Sequence, residues 1–301
     1  MPNSHPSLPR FELIQPTSLK EASQFLCLHP EDARPFLGGT DIFVRLRDGR
    51  LKLNTLVNLK AIPGMDELSF NTEDGLTIGS VVPMNRMIVS PEAQTHFPLL
   101  VEAARSVASY QLRNRATIVG NICNASPAGD TCGASLIYKG ELNVYSPDSE
   151  RKIPLEDFFL GPGKTLLKPG EIVTSIHFPL PPKGHQGKYI KLGRNVISDL
   201  SIVGVAVIGY ADATAKSKFR FRIALASVAP VPLIAKEAEE ILASQPLSDV
   251  VITEAARAAI NACHPIDDVR SSAAYRQAMV FRLTTRAITE VWQRLQKTSK
   301  L

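Results

Sequence analysis

Residues 116–131 read Ala-Thr-Ile-Val-Gly-Asn-Ile-Cys-Asn-Ala-Ser-Pro-Ala-Gly-Asp-Thr, and no other stretch limits so strongly what this chain can become. A short apolar run here carries glycine, amide, hydroxyl and carboxylate groups at close intervals. Thr117, Ile118 and Val119 are β-branched and favour extended backbone. Gly120 permits a conformation or a close approach that a side chain would block, and Pro127 with Gly129 keeps the residues after them out of regular helix. Backbone amides are thereby left free. With the hydroxyls of Thr117 and Ser126 and the side chains of Asn121 and Asn124, they make the donor set that a phosphorylated cofactor requires. A carboxylate would repel a phosphate, so Asp130 is expected to accept from a ribose or ring N–H, or to cap the helix that starts after it.

A second stretch of the same character lies at residues 34–41, Arg-Pro-Phe-Leu-Gly-Gly-Thr-Asp. A strand runs into Gly38 and Gly39, and a helix-compatible pattern resumes at 42–47, which gives another set of free amides beside a helix start. The spacing matches neither the Gly-x-Gly-x-x-Gly of a Rossmann turn nor the Gly-Lys-Ser/Thr ending of a P-loop. Taken alone, Gly-Gly-Thr is better read as a tight turn. Arg113 and Arg115, just before the first stretch, serve either as anion-attracting groups or as solvated and ion-paired arginines at a helix end.

The chain has 301 residues, 44% hydrophobic and 21% charged, with a formal charge of +5. That is the composition of an ordinary globular protein with room for two domains. Its cations are dispersed, so no basic block points to nucleic acid. Cys27, Cys123, Cys132 and Cys263 lack the spacing of a zinc or iron–sulfur site and form no disulfide framework, which suits a reducing compartment. Residues 1–10 carry no apolar segment of signal-peptide length, and no run reaches the length of a transmembrane segment. A cytoplasmic location is expected.

Periodicity gives strands at 11–14, 56–59, 142–145 and 172–178, a hairpin at 68–79, and helices at 18–28 and 91–109. Residues 161–164 are flexible, and Phe158, Phe159, Leu166 and Leu167 offer apolar bulk for a planar ring or for the core. Residues 179–187 change composition abruptly and read as a linker. Beyond them come three strands, at 189–192, 201–210 and 219–228, the last alternating basic and apolar residues like a half-exposed antiparallel strand. Helices follow at 233–243, 250–263 and 272–296, an α+β arrangement. Lys191 and Arg194 stand near the linker, where one of them could reach back to a cofactor. The six histidines share no metal spacing, no Gly-x-Ser-x-Gly elbow occurs, and Ser126 has no local base. A protein whose chemistry belongs to a cofactor fits this pattern better than a hydrolase does.

Four ordered motifs carry a resemblance: Phe-Leu-Gly-Gly-Thr-Asp at 36–41, Arg-Asn-Arg-Ala-Thr-Ile-Val-Gly-Asn-Ile-Cys-Asn-Ala-Ser-Pro-Ala-Gly-Asp at 113–130, Gly-Pro-Gly-Lys-Thr-Leu-Leu at 161–167 and Tyr-Ile-Lys-Leu-Gly-Arg at 189–194. With Tyr275-Arg276 expected just before the last helix, they resemble the FAD-binding medium subunit of the molybdenum hydroxylases. The resemblance implies an α+β chain with a two-subdomain FAD-binding domain of the vanillyl-alcohol-oxidase type over residues 1–180, divided near residue 60. A C-terminal domain of antiparallel sheet plus helices would follow at 187–298.

Carried over by position, Leu37, Gly38, Gly39, Thr40 and Asp41 would line the FAD pyrophosphate, with Thr117, Ile118, Val119, Gly120 and Asn121 on its other side. Ser126 and Asp130 would meet the ribityl or ring region, Leu167 the flavin or adenine side, and Lys191 would reach the cofactor from the second domain. Val119 stands where the family commonly has glycine, and the cysteine-rich insertion of the hydroxybenzoyl-CoA branch is absent. The chain would take electrons from a 2Fe-2S small subunit, in a complex with a molybdopterin-binding large subunit, and pass them to a soluble acceptor such as NAD, a quinone or oxygen. Two alternatives remain at the level of sequence: a self-contained flavin reductase of the same fold, and a non-redox or structural subunit with a vestigial site.

Overall fold

The computed structural model describes residues 7–195 and 198–298. A three-stranded parallel sheet comes first, in the order Glu12–Ile14, Thr55–Asn58, Ala33–Phe36. Alternate residues of its middle strand face opposite ways. Val57 enters a core with Ala22 and Leu26 of helix Leu19–Leu28, while Leu56 enters another with Phe36 and with Leu46 of helix Ile42–Arg47. Ser18 caps the first helix by accepting from Glu21 N at 3.2 Å.

The second sheet has five strands in the order Leu68–Asn71, Gly75–Gly79, Ile172–Pro179, Glu141–Tyr145, Glu150–Pro154, paired antiparallel throughout. Between its second and fourth strands the chain inserts a series of short helices, which supply much of the largest core. The expected helix at 91–109 is broken into Pro91–His96 and Pro98–Arg105. Pro98 has no N–H to continue the ladder and restricts Phe97, which takes non-helical dihedrals at the junction.

The third sheet is antiparallel, in the order Gln186–Leu192, Val203–Ala211, Phe219–Ala226, Leu233–Ile234. Helices Lys236–Ser244, Asp249–Asn261 and Ala273–Thr298 follow. Leu233 and Ile234, expected to open a helix, instead add an edge strand. Tyr275 and Arg276 lie inside the last helix, and Arg276 is buried with its guanidinium donating to the carbonyls of Ile202 and Ser227, each at 2.8 Å.

Both faces of this sheet are filled. Val203, Val205, Val207, Phe221, Ile223 and Leu225 join the core under the C-terminal helices. Ala206, Ile208 and Ala224 point the other way, into the large core of the preceding sheet and its helices. The strand Val203–Ala211 is consequently an almost continuous apolar run, as a strand buried on two faces must be. The expected half-exposed strand at 219–228 is corrected in the same way. Arg222 lies in the junction, donating to Ile137 O at 2.9 Å and pairing with Glu156 at 2.6 Å, whereas Arg220 pairs with Asp212 at the exposed end. Helix Asp130–Ile137 packs on this face at Gly133, where a Cβ would stand at ordinary contact distance, 3.6 Å, from the methyls of Ala206 and Ala224.

Candidate functional site

A cleft of about 570 Å³ opens where the loop after strand Ala33–Phe36, the turn into helix Ile118–Cys123 and the approach to strand Ile172–Pro179 converge. Leu37, Gly38, Gly39, Thr40 and Asp41 line one wall, and Thr117, Val119, Gly120 and Asn121 line the facing one, with Leu167 at the third. Contact between the first two walls depends on a missing side chain. A Cβ on Gly38 would fall 2.2 Å from the Arg115 carbonyl oxygen and 3.0 Å from Ala116 Cα, so the two backbones meet only because residue 38 is glycine. Gly39 has φ +75°, a conformation that side chains disfavour, and it turns the chain into Thr40 and Asp41 on the cleft wall.

Among the described residues, the N–H groups of Gly38, Gly39, Thr40 and Asp41 find no intramolecular acceptor. Four successive unpaired donors on a concave wall form an anion-binding nest. Lys60 Nζ lies 4.2 Å above the ring of Phe36, which lines the cleft. Its pKa is lowered by desolvation and by the neighbouring Arg115, so two cations stand close together here. Asp41 supplies no cap bond to its helix. Loss of hydration raises its carboxyl above the usual range and Arg45 opposes this, while its outer edge stays exposed.

The facing wall has another local structure than its β-branched residues imply. Residues 118 and 119 are helical, not extended. Thr117 keeps extended dihedrals as the N-cap, and its Oγ1 accepts from Gly120 N at 2.9 Å, so the cap overrides the preference for strand. A Cβ on Gly120 would stand 2.9 Å from that same Oγ1, which explains the glycine. Cys123 also lines the cleft; burial pushes its thiol and that of Cys132 up to about 12, so neither is a thiolate at neutral pH. Arg113 is committed to structure, donating to Val107 O at 2.7 Å and Asn85 Oδ1 at 3.3 Å.

Ile118, Ser126, Asp130 and Lys191 are not on the cleft wall. Ile118 is in the core, and Ser126 Oγ accepts from Ala128 N at 3.3 Å. Asp130 is the first residue of its helix, after Gly129 as the cap. Lys191 Nζ lies 2.7 Å from Asp130 Oδ2 and 3.0 Å from Ser106 O, and Tyr189 donates to Asp130 Oδ1 at 3.0 Å. Burial raises the Asp130 carboxyl, opposed by Lys191 and Tyr189, and pushes the Tyr189 phenol well above its ordinary range, with the adjacent Asp130 charge adding to it. Phe158 is fully buried in the core, the second of the two uses its sequence allowed.

Sequence reasoning passed over the third wall, Lys168, Pro169, Gly170 and Glu171. The Pro-Gly pair was its available signal. A Cβ on Gly170 would stand 2.8 Å from Cys27 Cβ, and its carbonyl accepts from buried Ser23 Oγ at 2.6 Å, tying this wall to the first helix. Glu171 accepts from Nε and Nη2 of Arg151, at 2.9 and 2.8 Å. Among the described residues, no three His, Cys, Asp or Glu side chains gather as metal ligands, and no helix is long and apolar enough to cross a membrane.

Comparison with known proteins matches residues 9–181 to the FAD binding domain in molybdopterin dehydrogenase and residues 188–291 to the CO dehydrogenase flavoprotein C-terminal domain. The chain is 33% identical to the carbon monoxide dehydrogenase medium chain of Hydrogenophaga pseudoflava, over 95% of its own length and 98% of the relative's. It is 30% identical to the xanthine dehydrogenase FAD-binding subunit of Escherichia coli O157:H7, over 91% and 93%. A solved structure of carbon monoxide dehydrogenase from H. pseudoflava, lacking the Mo-pyranopterin moiety of the molybdenum cofactor, superposes with a TM-score of 0.91 at 32% identity, covering 96% of this chain and 99% of that one.

Proposed function

Since the chain belongs to the FAD-binding flavoprotein subunits of the molybdopterin dehydrogenases, we propose that it is the electron-transferring flavoprotein of a heteromeric molybdenum hydroxylase. It takes electrons from a 2Fe-2S partner subunit and delivers them to NAD, a quinone or oxygen, while a molybdopterin-binding large subunit handles the organic substrate. The proposed domains are residues 1–180 for FAD and 187–298 for the C-terminal unit.

The observation that carries this reading is the clasp. Gly38 packs on the Arg115 carbonyl, and the unpaired amides of residues 38–41 face Thr117, Gly120 and Asn121 across the cleft. Donors on both walls and nearby cations suit a pyrophosphate, and the cleft's apolar Leu167 suits a ring. Residues 37–41 and 117–121 would hold the FAD pyrophosphate, and Leu167 would pack on the flavin or adenine side. Ser126, Asp130 and Lys191 are assigned to the ribityl or ring end, where the buried Asp130–Lys191 pair fixes the second unit against the first. Bound FAD supplies the redox chemistry, exchanging electrons singly or in pairs; the protein binds it, orients it and sets its surroundings.

The test is uptake of FAD by the purified full-length chain. Reconstitution followed by gel filtration should leave oxidised-flavin absorbance on the protein peak. A colourless protein peak would remove the basis of the proposal.

A further inference from the structure

Asn121 lines the cleft, yet the orientation of its amide is decided from outside it. Its Oδ1 accepts from Thr131 Oγ1 at 2.7 Å and Thr131 N at 3.4 Å, with Cys132 Sγ at 4.0 Å. Room for that oxygen comes from Gly129, where a Cβ would stand 3.2 Å from it and 2.7 Å from the Cys132 sulfur. Amide oxygen and nitrogen are nearly equal in size, so only hydrogen-bond partners can tell which way such a group points. A backbone N–H can only donate, so the atom facing Thr131 must be the oxygen. The amide nitrogen is thereby turned away from Thr131, and among the described residues no protein acceptor takes either of its protons. Thr131 itself is fully buried and is not on the cleft wall. Whatever it does for a ligand it does through Asn121.

We infer that Thr131 is a positioning residue that locks the Asn121 amide with its N–H₂ toward the cleft, so that this wall offers donors to the pyrophosphate oxygens of the bound dinucleotide. The inference rests on the FAD reading above. A free asparagine can present either a donor or an acceptor; one held by Thr131 presents a donor before the ligand arrives. Affinity gains because the amide need not be ordered on binding, and a flipped amide, whose oxygen would repel phosphate, is suppressed.

The experiment titrates full-length apoprotein with FAD, followed by flavin fluorescence, for wild type, Thr131→Val, Thr131→Ser, Asn121→Ala and the double variant Asn121→Ala/Thr131→Val. Losing the hydroxyl should weaken FAD binding about five- to tenfold, the worth of one hydrogen bond. Serine should restore affinity to within about twofold of wild type, since it keeps the hydroxyl. The double variant should bind no more weakly than Asn121→Ala alone, because without the amide Thr131 has nothing to position. ADP, which shares the pyrophosphate, should compete less well against the valine variant in the same proportion. If valine is not tolerated in the packed helix, Thr131→Ala against Thr131→Ser asks the same question. Wild-type affinity in the valine variant, additive losses in the double variant, or a serine variant as weak as valine overturns the inference alone. A wild-type chain that binds no FAD overturns the parent reading with it.

Discussion

Replacing Gly38 with alanine tests the clasp at its narrowest point. The added methyl would lie 2.2 Å from the Arg115 carbonyl oxygen and 2.8 Å from its carbon. Both are backbone atoms, so no side chain can swing aside. Restoring ordinary contact requires the walls to part by about an ångström, which costs about 1–3 kcal/mol of stability as overpacking. Reduced freedom of the unfolded chain returns at most about 1 kcal/mol. An ångström also carries the amides of residues 38–41 out of hydrogen-bond range of a ligand held on the other wall. Losing two or three such bonds amounts to about 2–3 kcal/mol, or roughly a hundredfold in the Kd for FAD. Gly64→Ala is the control: its φ of +82° incurs backbone strain, but nothing lies within 4 Å of the new methyl. FAD titration and thermal melting of both variants measure the two effects. If Gly38→Ala binds FAD as wild type does and melts no lower than Gly64→Ala, the argument from close approach is wrong.

Further outcomes follow from the junction between the sheets. Lys191→Met strands the Asp130 carboxylate in a site where both side chains are about nine-tenths buried, so denaturant unfolding should show a loss of about 3 kcal/mol, largely recovered in Asp130→Asn/Lys191→Met; equal stability of the single and double variants would count against a buried pair. Gly133→Ala should be neutral or gain up to about 1 kcal/mol in helix propensity, since the methyl meets only ordinary contacts, whereas Gly133→Val should lower the melting temperature by wedging the sheet away. Desolvation pushes Glu239 from 4.5 up to about 7, opposed by its bond from Ile223 N and by Arg222. A carboxyl raised in the folded state favours folding most when protonated, so its contribution falls as pH rises from about 4.5 to 7. Glu239→Gln should therefore match wild type near pH 4 and exceed it by up to about 3 kcal/mol at pH 8, read from urea midpoints at the two pH values.

What was legible in the sequence was local. The glycines at 38 and 39, the hairpin at 68–79 and the strand expected at 201–210, observed at Val203–Ala211, each carry their conformation in neighbouring residues, and each forms as its pattern implies. Errors arose where a side chain acts on the backbone in an unanticipated role. Thr117 counted toward a strand when its hydroxyl starts a helix, and the single proline at 98 divides a helix whose apolar stripe is unbroken. Pairings between distant segments left no trace in spacing. Lys191 and Asp130 are separated by 61 positions, and neither neighbourhood signals that these charges would meet each other. The alternation at 219–228 likewise suggested water on one face, because a sequence does not say that another sheet's helix will cover it.

The doubly covered sheet has a consequence for how the chain behaves as a whole. One apolar face of Val203–Ala211 completes the core of the residues before it and the other completes the core of those after it. Neither half can open without wetting the same strand. The two segments that match separate family descriptions should consequently melt in one calorimetric transition, and a chain severed between residues 181 and 188 should yield two fragments that are sticky apart and recombine when mixed.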